Sequence, residues 1–148
     1  NITIETLLAT QESLKQDYEN LQTIPGIGQT TAIAILAETP TFSNLENARQ
    51  LAAYAGLTPS QRTSGTSLKG KSRLSKIGSA PLRKSLYFPA IVGKKHNPLL
   101  KEFAKNLERK GKHTMVIIGA LMRKLLHIIF GVLKHKTPFN PHISDFYA

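Results

Sequence analysis

The stretch TMVIIGALMRKLLHIIFGVLKHK (114–136) constrains this chain most, because it is apolar on nearly every side. A helix of that kind is stable inside a protein or across a membrane. Arg123 and Lys124 stand at its centre, and each would cost about 2.5–3.5 kcal/mol at the middle of a bilayer. The stretch therefore predicts a central buried helix with its two cations at an exposed edge. At 148 residues the chain is long enough to close one domain around it.

The rest of the chain reads as shorter helices, and no alternating strand pattern appears, so the expected class is all-α. Residues 4–21 are amphipathic, with Ile4, Leu7, Leu14, Tyr18 and Leu21 at a and d heptad positions and Gln11 the exception. A coiled coil and a core-facing helix both fit that spacing. Pro25-Gly26-Ile27-Gly28 turns this helix into a second one ending near residue 38. A third is expected at 43–56, with Ser43 as cap, Glu46 completing a capping box and Gly56 at the exit. A fourth starts at 79 with Ser79 as cap, and Pro89 should kink or end it. A fifth, 97–111, has Asn97 at the cap, Pro98 at the first turn and Gly111 beyond the end. Residues 137–148 have no periodicity and read as irregular.

Charge narrows the partners. The net charge is +11, and residues 47–101 hold eleven Lys or Arg with no Asp or Glu. Outside that span nine cations meet nine acids, so the whole excess sits in one central block. A polyanion, above all nucleic acid, suits such a surface. The block is rich in Gly and Ser, unlike an amphipathic membrane helix with aromatic anchors. Cysteine is absent, which excludes disulfides and thiolate-bound zinc and fits a cytoplasmic protein. His96, His113, His127, His135 and His142 show no ligand spacing, so no metal is expected on this chain, and they read as surface or helix-end residues. The first residue is Asn1 rather than Met, as expected of a piece of something longer.

Two segments carry chemistry. IPGIG between helices looks like a helix-hairpin-helix motif, in which glycines allow a tight turn and the next helix offers unpaired N–H groups to a phosphate. Gly26, Ile27 and Gly28 would grip a backbone without reading bases, with Thr30 and Thr31 adding hydroxyls. A plain tight turn would use the same residues. In QRTSGTSLKGKSRLSK (61–76), Ser64 is followed by Gly65 and surrounded by Arg62, Lys69, Lys71, Arg73 and Lys76. Cations there favour a bound phosphate and can stabilise charge developing on phosphorus. A serine is a weak nucleophile until a base takes its proton, and no acid lies in the block. On local residues Ser64 is a phosphate ligand first and a nucleophile second.

AYAGLTPSQRTSGTSLKGKSRLSKIGSAPLRKSLY resembles the C-terminal domain of a bacterial insertion-sequence transposase family. Its members join an N-terminal resolvase-like DEDD nuclease domain to a serine-bearing C-terminal domain. Pilin-gene invertases belong to the same group, and several members are guided by a structured bridge RNA. The pattern fits at Gly56, Leu57, Pro59, Ser64, Gly65, Gly70, Lys76, Gly78, Leu82, Arg83 and Leu86, with IPGIG upstream and HNPLLKEF and RKLLHIIFGVLK downstream. It departs at Ser79, where an amide or acid is common, and at Pro89. The resemblance implies that 1–21 is the end of a connector helix, which favours the coiled-coil reading there, and that 22–141 is the C-terminal domain with the hairpin at 22–38, leaving 142–148 as the irregular tail. It implies that Ser64 is the active-site serine, and that Arg62, Lys69, Lys71, Arg73, Lys76 and Arg83 hold a DNA or guide-RNA backbone. Mg²⁺ is expected on the N-terminal domain, with no cofactor on this chain, and the intact enzyme is expected to be a homo-oligomer. A non-catalytic helix-hairpin-helix module and a guide-RNA scaffold are the alternatives.

Overall fold

A computed structural model describes residues 3–38, 46–57, 59–60, 73–74 and 80–147. Among them are six α-helices: α1 (Ile4–Gln22), α2 (Gln29–Leu36), α3 (Ala48–Tyr54), α4 (Ala80–His96), α5 (Pro98–Arg109) and α6 (Thr114–His135). The all-α expectation holds. Among the described residues the helices are accompanied by a two-residue antiparallel ladder, β1 (Pro59–Ser60) with β2 (Arg73–Leu74), pairing Pro59 with Leu74 and Ser60 with Arg73.

The centre is α6. Ile117, Leu121, Met122, Leu125, Leu126, Ile128, Ile129 and Val132 are buried against α1, α3, α4, α5 and the C-terminal segment. Each fully buried branched side chain contributes about 1.5–3 kcal/mol, so most of the apolar circumference read from the sequence is used, while Met115 and Val116 in the first turn stay exposed. The helix is long and apolar enough to cross a membrane by length and composition, and 56% of its most apolar window is buried within the protein. Arg123 is exposed as expected, but Lys124 is half-buried.

Helix ends follow local chemistry. The third helix starts four residues later than predicted. Asn47 is its cap, with Oδ1 accepting from the Gln50 N–H at 3.0 Å, and Gln50 Oε1 accepts from the Glu46 N–H at 2.7 Å. N-x-x-Q at 47–50 thus does the work assigned to S-x-x-E at 43–46, and Ser43 lies outside the described residues. The helix ends in a Schellman motif: Gly56 at φ +73° donates to Ala53 O (3.0 Å), and Leu57 donates to Ala52 O (2.9 Å).

Pro89 does not end α4, which runs on to His96. An interior proline costs a helix about 3 kcal/mol, and here its ring is buried on the face that also buries Leu82, Leu86, Ala90 and Gly93. Packing along that face offsets the lost N–H bond. The helix stops instead at Pro98, which forces Asn97 into extended backbone (φ −95°, ψ 116°). Asn97 then caps α5, its Oδ1 accepting from the Leu99 N–H at 3.0 Å.

The C-terminal tail is not irregular. Residues Pro141–Tyr147 form 3₁₀ turns, kinked at Ile143. Tyr147 is 1% exposed, its ring stacked on Phe139 at 5.8 Å and its hydroxyl accepting from the Asn140 N–H at 3.1 Å. One buried aromatic anchors a segment whose sequence has no period.

The predicted connector, α1, divides along its length. Ile4, Leu8 and Leu14 are exposed, whereas Leu21 is fully buried, so the apolar stripe enters the core only in its last turns. A polar clasp fixes the angle at which it leaves. Lys136 Nζ lies 2.9 Å from both Asp17 carboxylate oxygens and donates to Ser13 Oγ at 2.7 Å. Asp17 is 5% exposed, so its carboxylate depends on that cation. Lys136→Met should destabilise the fold by about 1–3 kcal/mol by stranding the buried carboxylate. Lys136→Met with Asp17→Asn should lose less than the two single losses added, as measured by urea unfolding.

Candidate nucleic-acid interface

The hairpin between α1 and α2 is built around a close backbone approach. Thr23 closes α1, its N–H donating to Asn20 O at 3.1 Å, and Ile24 donates to Leu21 O at 3.2 Å. Ile24 and Ile27 are buried on either side of Pro25-Gly26, anchoring both arms. Gly26 has φ +100°, and a Cβ built there would meet Pro89 O on α4 at 2.7 Å and Gly93 N at 3.2 Å. Only glycine combines that dihedral with that clearance. A Cβ on Gly93 would in turn lie 2.6 Å from Leu100 Cδ1 and 3.5 Å from Pro25 O. The hairpin therefore sits on a notch in α4 formed by Pro89 and Gly93.

The five hairpin residues predicted to meet a phosphate divide accordingly, with Thr31 half-buried. Gly26 faces α4, and the Ile27 N–H is already donated to Ile24 O at 3.0 Å. Gly28 and Thr30 are exposed. Gly28 caps α2 in extended backbone with no side-chain cap, no atom lies within 4 Å of its added Cβ, and no acid stands in the first turn. The open amide end thus lies at 28–30, and Gly26 and Ile27 hold it in place.

Arg83 lies on α4, half-buried, with Nη1 directed at the carbonyl of Ala55 at 3.4 Å. It joins α4 to the end of α3, and the guanidinium has further donors beyond that long contact. The β1–β2 ladder sets Ser60 beside Arg73. Ser64, Arg62, Gly65, Lys69, Lys71 and Lys76 lie outside the described residues, and of Arg73 only the backbone is described.

Among the described residues no group of His, Asp or Glu is arranged to hold a metal ion. His96, His113, His135 and His142 are exposed, but His127 is half-buried in the middle of α6, not at a surface or helix end as expected. Sequence reasoning missed Gly93, because a lone glycine in a helix gives no sign of the hairpin opposite.

Residues 18–105 match the model of the family described as Transposase IS116/IS110/IS902. The chain belongs to that family. The match spans the hairpin, the notch in α4, the ladder and the whole acid-free basic run. The chain is similar to the pilin gene-inverting protein of Moraxella bovis, 40% identical over 126 residues, which are 84% of this chain and 39% of that protein. The namesake from Moraxella lacunata gives the same identity and coverage, 40% over 126 residues, 84% of this chain and 39% of the relative. A transposase for insertion sequence element IS1111A from Coxiella burnetii is 30% identical over 132 residues, 84% of this chain and 35% of its own length. The chain thus spans about 39% of the length of the first curated relatives it matches.

The two hairpin glycines should respond differently to a methyl group. Gly26→Ala meets backbone at a positive φ and should cost about 2–3 kcal/mol. Gly28→Ala, in open space, should cost no more than about 1 kcal/mol. Urea unfolding of both variants checks the contrast.

Proposed function

We propose that this chain grips nucleic acid and presents Ser64 as the nucleophile of a transposase that cuts and rejoins DNA strands. The observation that carries the reading is the run of eleven cations without an acid at 47–101, lying wholly inside the family match at 18–105. A surface of one sign over such a length suits a phosphate backbone. The open end of α2 at Gly28 and Thr30 adds uncharged N–H donors for one more phosphate. Arg62, Lys69, Lys71, Arg73, Lys76 and Arg83 supply the charge, and Gly65 leaves room beside the hydroxyl.

In the proposed step Ser64 Oγ bonds to phosphorus and the phosphodiester P–O bond to the departing sugar oxygen breaks. The serine proton passes to a base, and the departing oxygen takes one up. No acid in the basic run can serve as that base. It belongs to the N-terminal DEDD domain that the family resemblance implies, together with Mg²⁺. Among the described residues no set of carboxylates or histidines is gathered to hold that ion. On this reading the chain by itself binds DNA, or a structured guide RNA, without recombining it. The intact enzyme works as a homo-oligomer in the bacterial cytoplasm.

The test uses the full-length protein with its element ends and Mg²⁺, and a denaturing gel for a protein–DNA adduct. Wild type should give the adduct and Ser64→Ala should abolish it, with DNA affinity changed less than about threefold, below 1 kcal/mol. Strand cleavage without an adduct in wild type would assign the attack to water and leave Ser64 as a phosphate ligand.

A further inference from the structure

The balance of nine cations and nine acids outside the central run conceals a second asymmetry. Residues 1–46 hold one cation, Lys15, against six acids, whereas residues 102–148 hold eight cations against Glu102, Glu108 and Asp145. From 109 to 144 there are seven Lys or Arg and no acid. Two of these cations, Arg123 and Lys124, meet in a cavity of about 270 Å³ between α5 and α6.

The cavity is lined by Phe103 from α5 and by Ala120, Arg123, Lys124 and His127 from α6. The four α6 residues fall on one helical face at i, i+3, i+4 and i+7. No acid is among these residues, and both acids of α5 are engaged elsewhere. Glu108 pairs with Lys94 at 2.9 Å, and Glu102 lines a separate groove with Pro98, Lys101 and Lys105. Among the described residues neither Arg123 nor Lys124 has an ion-pair partner. Burial alone pushes the Lys124 ammonium below its ordinary pKa, so the fold holds this cation partly desolvated beside a second one. An anion in the cavity would offset that cost. The apolar walls of Phe103 and Ala120 would strengthen the pairing by lowering the local dielectric, and the guanidinium fork matches phosphate oxygens.

We propose that this cavity between α5 and α6 is a second phosphate site, taking one phosphodiester of a nucleic-acid backbone between Arg123 and Lys124. It rests on the nucleic-acid reading above and extends the footprint from the basic run onto the C-terminal half. Both DNA and RNA present the same group.

The test follows binding of the 148-residue chain to a labelled DNA duplex and to a single-stranded RNA, by fluorescence anisotropy across a salt series. Arg123→Gln/Lys124→Gln removes the charge. Ala120→Met fills the cavity and keeps the charge. Lys15→Gln/Lys134→Gln removes equal charge elsewhere, and thermal melts confirm folding. The double cavity variant should lower the salt slope by about 0.9 on duplex DNA, or about 0.7 on a single strand. On the duplex the affinity lost over a fourfold rise in salt should therefore shrink about 3.5-fold. Ala120→Met should also weaken binding, and the Lys15/Lys134 control should leave the slope within error. An effect on one ligand alone identifies the source of the phosphate. If the wild type binds and the cavity variants match the control, the second site is overturned and the nucleic-acid reading stands. Charge removal that weakens binding while Ala120→Met does not would also overturn it, leaving only diffuse surface charge. No binding by wild type would overturn both readings.

Discussion

Enclosing α6 is the constraint on which the rest of the structure depends. A 22-residue helix apolar around most of its circumference loses stability on every face that water reaches. It is therefore surrounded by α1, α3, α4, α5 and the 3₁₀ segment. That requirement explains two departures from local preference. Pro89 stays inside α4 because breaking the helix there would remove Ala90 and Gly93 from the buried face. The C-terminal segment, without periodicity, is held because Tyr147 closes one more side of the core. In both places burial outweighs the backbone cost.

The hairpin shows how packing divides a motif into parts with separate tasks. Five residues, IPGIG, suggest one phosphate grip in the sequence. In the fold, Ile24 and Ile27 are anchors, and Gly26 allows contact with the backbone of α4. Gly28 opens the end of α2. A notch of Pro89 and Gly93 on a helix more than sixty residues away in sequence sets the hairpin's position, so the direction of any bound phosphate is fixed by tertiary contact. Lys136 does the same for α1 through its hold on Asp17 and Ser13. Where the chain leaves the domain is thus tied to the end of the central helix.

Much of this was legible from residues. The all-α class, the central helix, the span of α5 with Asn97, Pro98 and Gly111 at its ends, and the family all follow from period, caps and motif. These signals are local, and each is strong enough to survive any packing around it. The start of α3 was misread because two capping patterns, at 43–46 and 47–50, lie end to end. Local propensity cannot choose between them.

What the sequence determined alone is the kind of surface and the kind of core. An acid-free run of cations stays polyanion-seeking in any fold, and a helix apolar all round must be enclosed. Tertiary structure alone decided which polar groups are left open and which are used up. The Ile27 amide is taken by Ile24, and Arg83 reaches the end of α3. Lys124, expected at an exposed edge, is half-buried beside Phe103. The physical reason is that exposure and partnership depend on residues distant in the chain. Their approach is a property of the closed core, and no local pattern encodes it.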